Sequence, residues 1–349
     1  MGDMKKILAV VCAVLAGVAL ADLKKDAKKN LEWFPKEIRE AEPVDVKRFD
    51  FAPGVEYGYV YCNKLFGHPG DVHAVRIEIE KAKLRPTIRE GAFLPGDDKK
   101  GRLMTTSAAA AANKALFGTN GSFFKWTELK PFYGCKVGDK IGPEKCNGGC
   151  GFAFKADGSK MKVGRIKKEE LADWDGFLFG ECVASKGKCS LDWKRPEGFK
   201  TKPEAPRTAY GQDAEGKYVW IFVTGGRKRG KKPSMGLSYM DVADLGLWFG
   251  CAEVVNMDGG GSTTLVVNQQ ALKKAKAKKP YSGESHPAEG AGNGYEILNC
   301  TSDGKERAVL DQILFGSSCM TVGGFPLHKF AWPLFYGLLS RSSGPRNFD

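Results

Sequence analysis

Polar and apolar positions alternate along much of the chain, in short runs separated by glycine. "VEYGYVYCNKLF" (Val55–Phe66) and "DVHAVRIEIEKAKLRPTI" (Asp71–Ile88) follow a period of two, and the Gly67-His68-Pro69-Gly70 run between them predicts a turn joining two antiparallel strands. Two further hairpins are predicted. "GFAFKADGSKMKVGRI" would turn at Asp157-Gly158, and "TAYGQDAEGKYVWIFVTGG" at Glu215-Gly216. Helical patterning is rarer. "TTSAAAAANKAL" predicts a helix capped by Thr106 or Ser107, "SYMDVADLGLWFG" an amphipathic helix ended by Gly250, and Lys36–Ala41 a short one. No internal repeat is present. The pattern predicts an α+β fold of mixed, largely antiparallel sheets with packed helices in a single main domain.

The ends of the chain read differently. Lys5 and Lys6 precede an apolar stretch from Ile7 to Ala21, and Ala19-Leu20-Ala21 has the small-x-small form of a signal-peptidase site. About 15 apolar residues fall short of the roughly 20 that span a bilayer, so residues 1–21 are expected to be a cleaved signal peptide. Residues 22–50 are a charged N-terminal segment, 51–318 the main domain and 319–349 an aromatic tail, interrupted by Pro326 and Pro333, expected to pack on that domain. The expected location is outside the cytoplasm: secreted, periplasmic or at the cell envelope.

Export alters how the ten cysteines are read. In an oxidising compartment they are expected to form disulfide staples, because neither tight Cys pairs nor neighbouring histidines give zinc spacing. The formal charge of +13 is concentrated in "GGRKRGKK" (Gly225–Lys232) and in the lysines from Lys273 to Lys279. Such clusters attract polyanions. No aromatic interleaving or helix-turn-helix pattern points to nucleic acid, so an anionic glycan or glycopolymer is the expected partner.

Four segments place polar or charged groups beside glycine at predicted strand ends: "TNGSFF" with Asn120, "PRTAYG" with Arg207, "VTGGR" with Arg227, and "NMDGGGSTTL" with Asp258. Rigid strand ends can present side chains while glycine lets a ligand approach the backbone. Together with "GLSYMDVADL" and "LNCTSDGKERAV", and in this order over roughly Val55–Ser317, these segments resemble the phosphodiester glycosidases. Ser122, Gln269 and Cys300-Thr301 depart from the family pattern, in which glycine, glycine and an arginine-proline pair are usual at those places.

That resemblance implies hydrolysis of a sugar 1-phosphodiester, with oxocarbenium-like character at the anomeric carbon and phosphate as leaving group. Arginine suits such a phosphate because its planar fork donates two hydrogen bonds, which makes Arg207, Arg227 and Arg307 candidates. Gly259, Gly260 and Gly261 could turn backbone amides toward an anion, and Ser262, Thr263 and Thr264 add hydroxyls. No Lys-Ser/Thr pair follows, which disfavours a nucleoside triphosphate. Asp258 is the preferred carboxylate. Asp303 is preferred as a second, ahead of Glu181 and Glu284, and His286 is a minor acid/base candidate. Asp258, Asp303 and Asn120 offer oxygen to calcium or magnesium, but no ligand string of diagnostic spacing accompanies them, so no cofactor is expected. A non-catalytic envelope protein that binds anionic polysaccharide through the same loops is the alternative.

Overall fold

A computed structural model describes residues 26–94, 99–142, 146–190, 204–226, 233–275 and 294–317. The signal segment, Arg227 with most of its basic loop, Lys276–Lys279, Glu284, His286, Cys319 and the tail fall outside the described residues.

Among the described residues twenty strands follow in chain order: β1 (Pro43–Ala52), β2 (Val55–Leu65), β3 (His68–Glu78), β4 (Leu84–Glu90), β5 (Phe117–Asn120), β6 (Phe124–Lys125), β7 (Lys130–Pro131), β8 (Cys135–Val137), β9 (Lys140–Gly142), β10 (Gly148–Phe154), β11 (Met161–Lys167), β12 (Gly176–Phe179), β13 (Glu181–Ser185), β14 (Lys188–Cys189), β15 (Arg207–Gln212), β16 (Tyr218–Thr224), β17 (Glu253–Asn256), β18 (Leu265–Asn268), β19 (Tyr295–Ile297) and β20 (Asp311–Ser317). The large sheet has the order β1-β2-β3-β16-β15-β17-β13-β14. Two five-stranded sheets run β11-β10-β12-β8-β9 and β19-β18-β5-β20-β4, and β6-β7 is a separate hairpin. The neighbouring pairs are antiparallel, for example β15 with β16 and β17.

The largest core lies where the three sheets face one another. It takes Val219, Ile221 and Val223 from β16, Phe152 and Phe154 from β10, and Ile313 and Phe315 from β20. On β16 the alternate residues Trp220 and Phe222 pack into a second core, with Val242 and Leu245 of the helix Tyr239–Trp248 and with Phe34 and Ile38 of the N-terminal segment. A strand covered on both faces reads as a continuous apolar run, as "YVWIFVT" does. Each such fully buried side chain contributes about 1.5–3 kcal/mol. The helix Thr106–Ala112 covers the other face of the second five-stranded sheet, with Ala109 and Ala110 against Val266 and Leu314.

Sheets thus dominate, with fewer packed helices than an α+β reading implies. The predicted Asp157-Gly158 and Glu215-Gly216 turns are present, with Gly158 at φ 77° and Gly216 at φ 69°. The first hairpin turns earlier than predicted, at Phe66-Gly67 (φ 50° and 85°), and His68 already pairs with Leu65. Two positive φ values give the turn a twist that matches the strands. The run after Asp71 is not one strand, because a turn of helix at Ile79–Ala82 passes β4 to another sheet. Thr105, not Thr106 or Ser107, caps the alanine helix, its hydroxyl accepting from the Ala108 N–H. The eight described cysteines are thiols in this structure, with no disulfide among them.

Candidate active site

Antiparallel pairing brings three strand ends to one edge of the large sheet. Asn256, the last residue of β17, lies opposite Ala209 on one side and Glu181 on the other. Arg207 therefore opens β15, Glu181 opens β13, and Asp258 follows β17 by two residues, all at the same edge.

Asp258 is half-buried, and its Oδ1 accepts from the Gly259 N–H at 2.9 Å. Burial raises its pKa to about 6, against the opposing pull of the Ser262 hydroxyl, the Gly259 N–H, Arg307 and Arg207. The glycines that follow do not form the amide nest expected from sequence. Gly260 N–H bonds to Pro206 O (2.9 Å), Ser262 N–H to Gly259 O (3.3 Å) and Thr263 N–H to Gly260 O (3.2 Å), because Gly260–Ser262 coils into a 3-10 turn. The glycines instead give room. A Cβ at Gly259 would lie 2.7 Å from Pro206 O, and one at Gly261 would overlap Arg307 Nη2 and Asp303 Oδ2. Thr263 and Thr264 are fully buried beneath the loop, and Thr264 Oγ1 donates to Ser262 O.

Positive charge comes from side chains. Arg207 is 7 % exposed, donates from Nε to Leu237 O at 2.8 Å, and lies 4.6 Å over the ring of Tyr239. Tyr239 is placed there as the first residue of its helix, whose N-cap Ser238 exchanges hydrogen bonds with Asp241. Desolvation lowers the Arg207 pKa, while Tyr239, Asp241 and Asp258 oppose that shift. Arg307 donates from Nη2 (2.5 Å) and Nε (3.1 Å) to the same Asp303 oxygen. Its neighbour Glu306 accepts from the Ser107 N–H at 2.8 Å and from the Ser107 hydroxyl, tying this loop to the start of the alanine helix.

Asn120 joins two sheets. Fully buried, it donates from Nδ2 to Asp258 O (2.7 Å), while its Oδ1 accepts from the Thr208 hydroxyl (2.7 Å) and the Thr264 N–H (3.1 Å). Its side-chain amide is thus engaged with protein, and it holds Asp258 from below. Beyond it, Gly121 and Ser122 rest on Asp311, whose Oδ1 accepts the Ser122 N–H at 2.5 Å. Asp311 faces Glu90 directly across β20 and β4. Both carboxyls are almost wholly buried, and the Cys135 thiol lies beside Glu90. Burial raises both pKa values, and Glu90 raises that of Asp311 further. Two carboxyls so placed keep protons that exposed carboxyls would lose.

The structure therefore gathers Asp258, Gly259, Gly260, Ser262, Arg207, Arg307 and Asp303, with Asn120 and Thr263 beneath them. Asp303 is held by Arg307 as an ion pair, not left as a separate acid. Arg227 is outside the described residues, but its approach is fixed. Gly225 N–H bonds to Asp71 Oδ1 (2.8 Å), Asp71 pairs with His73 (3.3 Å), and His73 Nδ1 meets the Tyr57 hydroxyl (2.8 Å). Tyr239, Glu90 and Asp311 were missed by sequence reasoning. A carboxylate ending "KLRPTIRE" and another opening "DQILFGS" were the available signals, since each heads or ends an apolar run that must be buried. Among the described residues no group of three or more His, Cys, Asp or Glu is placed to hold a metal ion.

Fold and site define a sheet-built protein whose strand ends converge on a carboxylate between two arginines. The chain belongs to the phosphodiester glycosidase family, whose model matches residues 113–313. No curated protein matches it in sequence. Among solved structures it is similar to the catalytic domain of zebrafish N-acetylglucosamine-1-phosphodiester alpha-N-acetylglucosaminidase, auto-inhibited by its pro-peptide, at 16% identity and a TM-score of 0.55 over 81% of this chain and 94% of that one. It is also similar to a hypothetical protein from Synechocystis at 14% identity and a TM-score of 0.55, over 79% of this chain and 64% of that one. At these identities the likeness is one of fold. No helix among the described residues is long and apolar enough to cross a membrane.

Proposed function

We propose that the protein is a secreted hydrolase that cleaves a sugar 1-phosphodiester bond in a surface or extracellular glycoconjugate. The observation that carries this reading is the Asp258 carboxyl, flanked by Arg207 and Arg307 on a loop whose glycines let Pro206 and the Arg307–Asp303 pair pack directly against its backbone. In this reading the two guanidinium groups hold the phosphate and stabilise the charge that collects on it as the glycosidic bond breaks. Asp258, facing the anomeric carbon, stabilises the oxocarbenium-like transition state or directs water to it. Asp303 orients Arg307, and Asn120 fixes the backbone of Asp258. The arginines supply the neutralisation that a divalent cation would otherwise provide, so no cofactor is proposed. Export rests on residues 1–21.

A synthetic sugar 1-(methyl phosphate) diester tests the assignment. The parent should release free sugar, and in heavy-oxygen water the label should enter the sugar, not the phosphate. Asp258→Asn should lose activity by a factor of about 100 or more, and Arg207→Lys, which cannot keep both the Leu237 bond and a two-pronged phosphate contact, by about 10–100. Label in the phosphate, or full activity in Asp258→Asn, would sink the reading.

A further inference from the structure

The chain leaves the site through an aromatic hairpin. After Ser122, β6 and β7 pair Phe124 with Pro131 and Lys125 with Lys130, and the turn between them buries Leu129. Trp126 (46 % exposed), Phe132 (52 %) and Tyr133 (42 %) project from this segment. They are the three exposed large aromatic side chains among the described residues. Exposed rings gathered on one short segment, next to a site, mark a binding surface more than chance exposure does.

Tyr133 ties the hairpin to the catalytic edge. Its ring centre lies 3.8 Å from that of Phe179, and its hydroxyl donates to Glu181 Oε1 at 3.4 Å. Glu181 is the residue opposite Asn256 at the sheet edge, and the charges of Glu181 and Tyr133 both act on the phenol of Tyr239, which lies against Arg207. The hairpin therefore lies beside the strand end that carries Glu181 and the Arg207–Tyr239 pair.

We propose that Tyr133, with Trp126 and Phe132 along the hairpin and Glu181 at its base, forms a shelf for a pyranose ring of the substrate other than the one bonded to phosphate. This rests on the activity proposed above and makes the substrate a phosphodiester of an oligo- or polysaccharide. Pyranose rings present an apolar C–H face that packs on aromatic rings, while Glu181 and the Tyr133 hydroxyl match sugar hydroxyls at the rim. A single sugar phosphate bound between Arg207 and Arg307 would leave these rings without an occupant. A lipid surface also takes aromatic side chains, but it favours net positive charge beside them. Lys125 here is paired with Glu128 at 3.0 Å, so of two lysines and one glutamate only the charge of Lys130 is left over, and the Tyr133 hydroxyl is directed to Glu181 at the strand end.

The test compares a monosaccharide 1-(methyl phosphate) diester with the same diester extended by a tetrasaccharide. The parent should favour the long substrate in kcat/KM by about tenfold or more, equivalent to about 1.4 kcal/mol. Trp126→Ala and Tyr133→Ala should reduce that long-to-short ratio by about as much, chiefly through KM, and Tyr133→Phe should retain most of it. Equal handling of both substrates by the parent, or an unchanged ratio in the variants, overturns the shelf, and so does Trp126-dependent binding to phosphatidylglycerol vesicles with no chain-length preference. If the parent hydrolyses neither diester, the activity has failed and the shelf is judged by binding. Maltohexaose or chitohexaose should then change the tryptophan fluorescence of the parent and not of Tyr133→Ala, and silence in the parent overturns the proposal.

Discussion

Asp311→Asn would test the proton held on the buried carboxyl beneath the site. In the parent, burial holds protons on Asp311 and Glu90 that the unfolded chain gives up near ordinary carboxyl pKa values. Each such proton makes folding less favourable as pH rises, by about 1.4 kcal/mol per pH unit, until the folded group itself titrates. For Glu90 that window runs from 4.5 to about 7, and burial beside Glu90 likewise holds the Asp311 carboxyl well above its ordinary value. Asparagine keeps the oxygen that accepts from Ser122 and donates permanently to Glu90, but carries no titrating proton. One of the two slopes is removed, so the stability of the variant relative to the parent should rise with pH by about 1.4 kcal/mol per pH unit. For a domain of this size that is a change of roughly 3–6 °C in the Tm difference for each pH unit. Arg89, Cys135 and Asp258 also face the pair, and both proteins retain them. Thermal unfolding by circular dichroism, in steps of half a pH unit, reads the effect. A Tm difference that stays constant across this range would refute the buried proton on Asp311.

Other outcomes follow from the same geometry. If Asp258 acts as a carboxylate, kcat/KM should rise with pH through about 6 and then level, and Arg307→Gln, by removing a cation that favours the charged form, should move that midpoint upward. Gly261→Ala should leave the fold intact by circular dichroism but reduce kcat/KM by about tenfold or more, because the new methyl group must displace the Asp303–Arg307 pair. Asn120→Ala removes three buried hydrogen bonds and should cost about 2–4 kcal/mol in chemical denaturation, with Asn120→Asp no better because a carboxylate cannot donate to Asp258 O.

The hairpins were legible because each combines local alternation with glycine in a turn, and the helix before Gly250 because its cap and stop signals lie inside one short segment. Assembly of the sheets was not, since nothing near "KLRPTIRE" says that β4 leaves its neighbour β3 for β20, which follows more than two hundred residues later. The site divides the same way. Asp258 and Arg207 stood out by residue type beside glycine, and Arg307 through the family resemblance. The role of the glycines was misread, because whether an N–H faces a ligand or its own loop depends on φ and ψ, which residue type does not fix. Asn120 was placed correctly in the chain but joins two sheets, a function visible only when both are present. Tyr239 sat inside a motif whose helical period made it an ordinary core residue.

The consumption of the loop's own N–H groups bears on how this pocket can be altered. A phosphate site made of backbone amides binds almost any anion of the right size, and point substitution cannot easily retune it. In the reading proposed above, recognition is vested in replaceable side chains above an immovable floor, so specificity can drift through the hairpin at residues 124–133 while the Asn120 lattice and the Arg307–Asp303 pair stay untouched. An engineer seeking a new glycan would randomise that rim and leave the glycines alone.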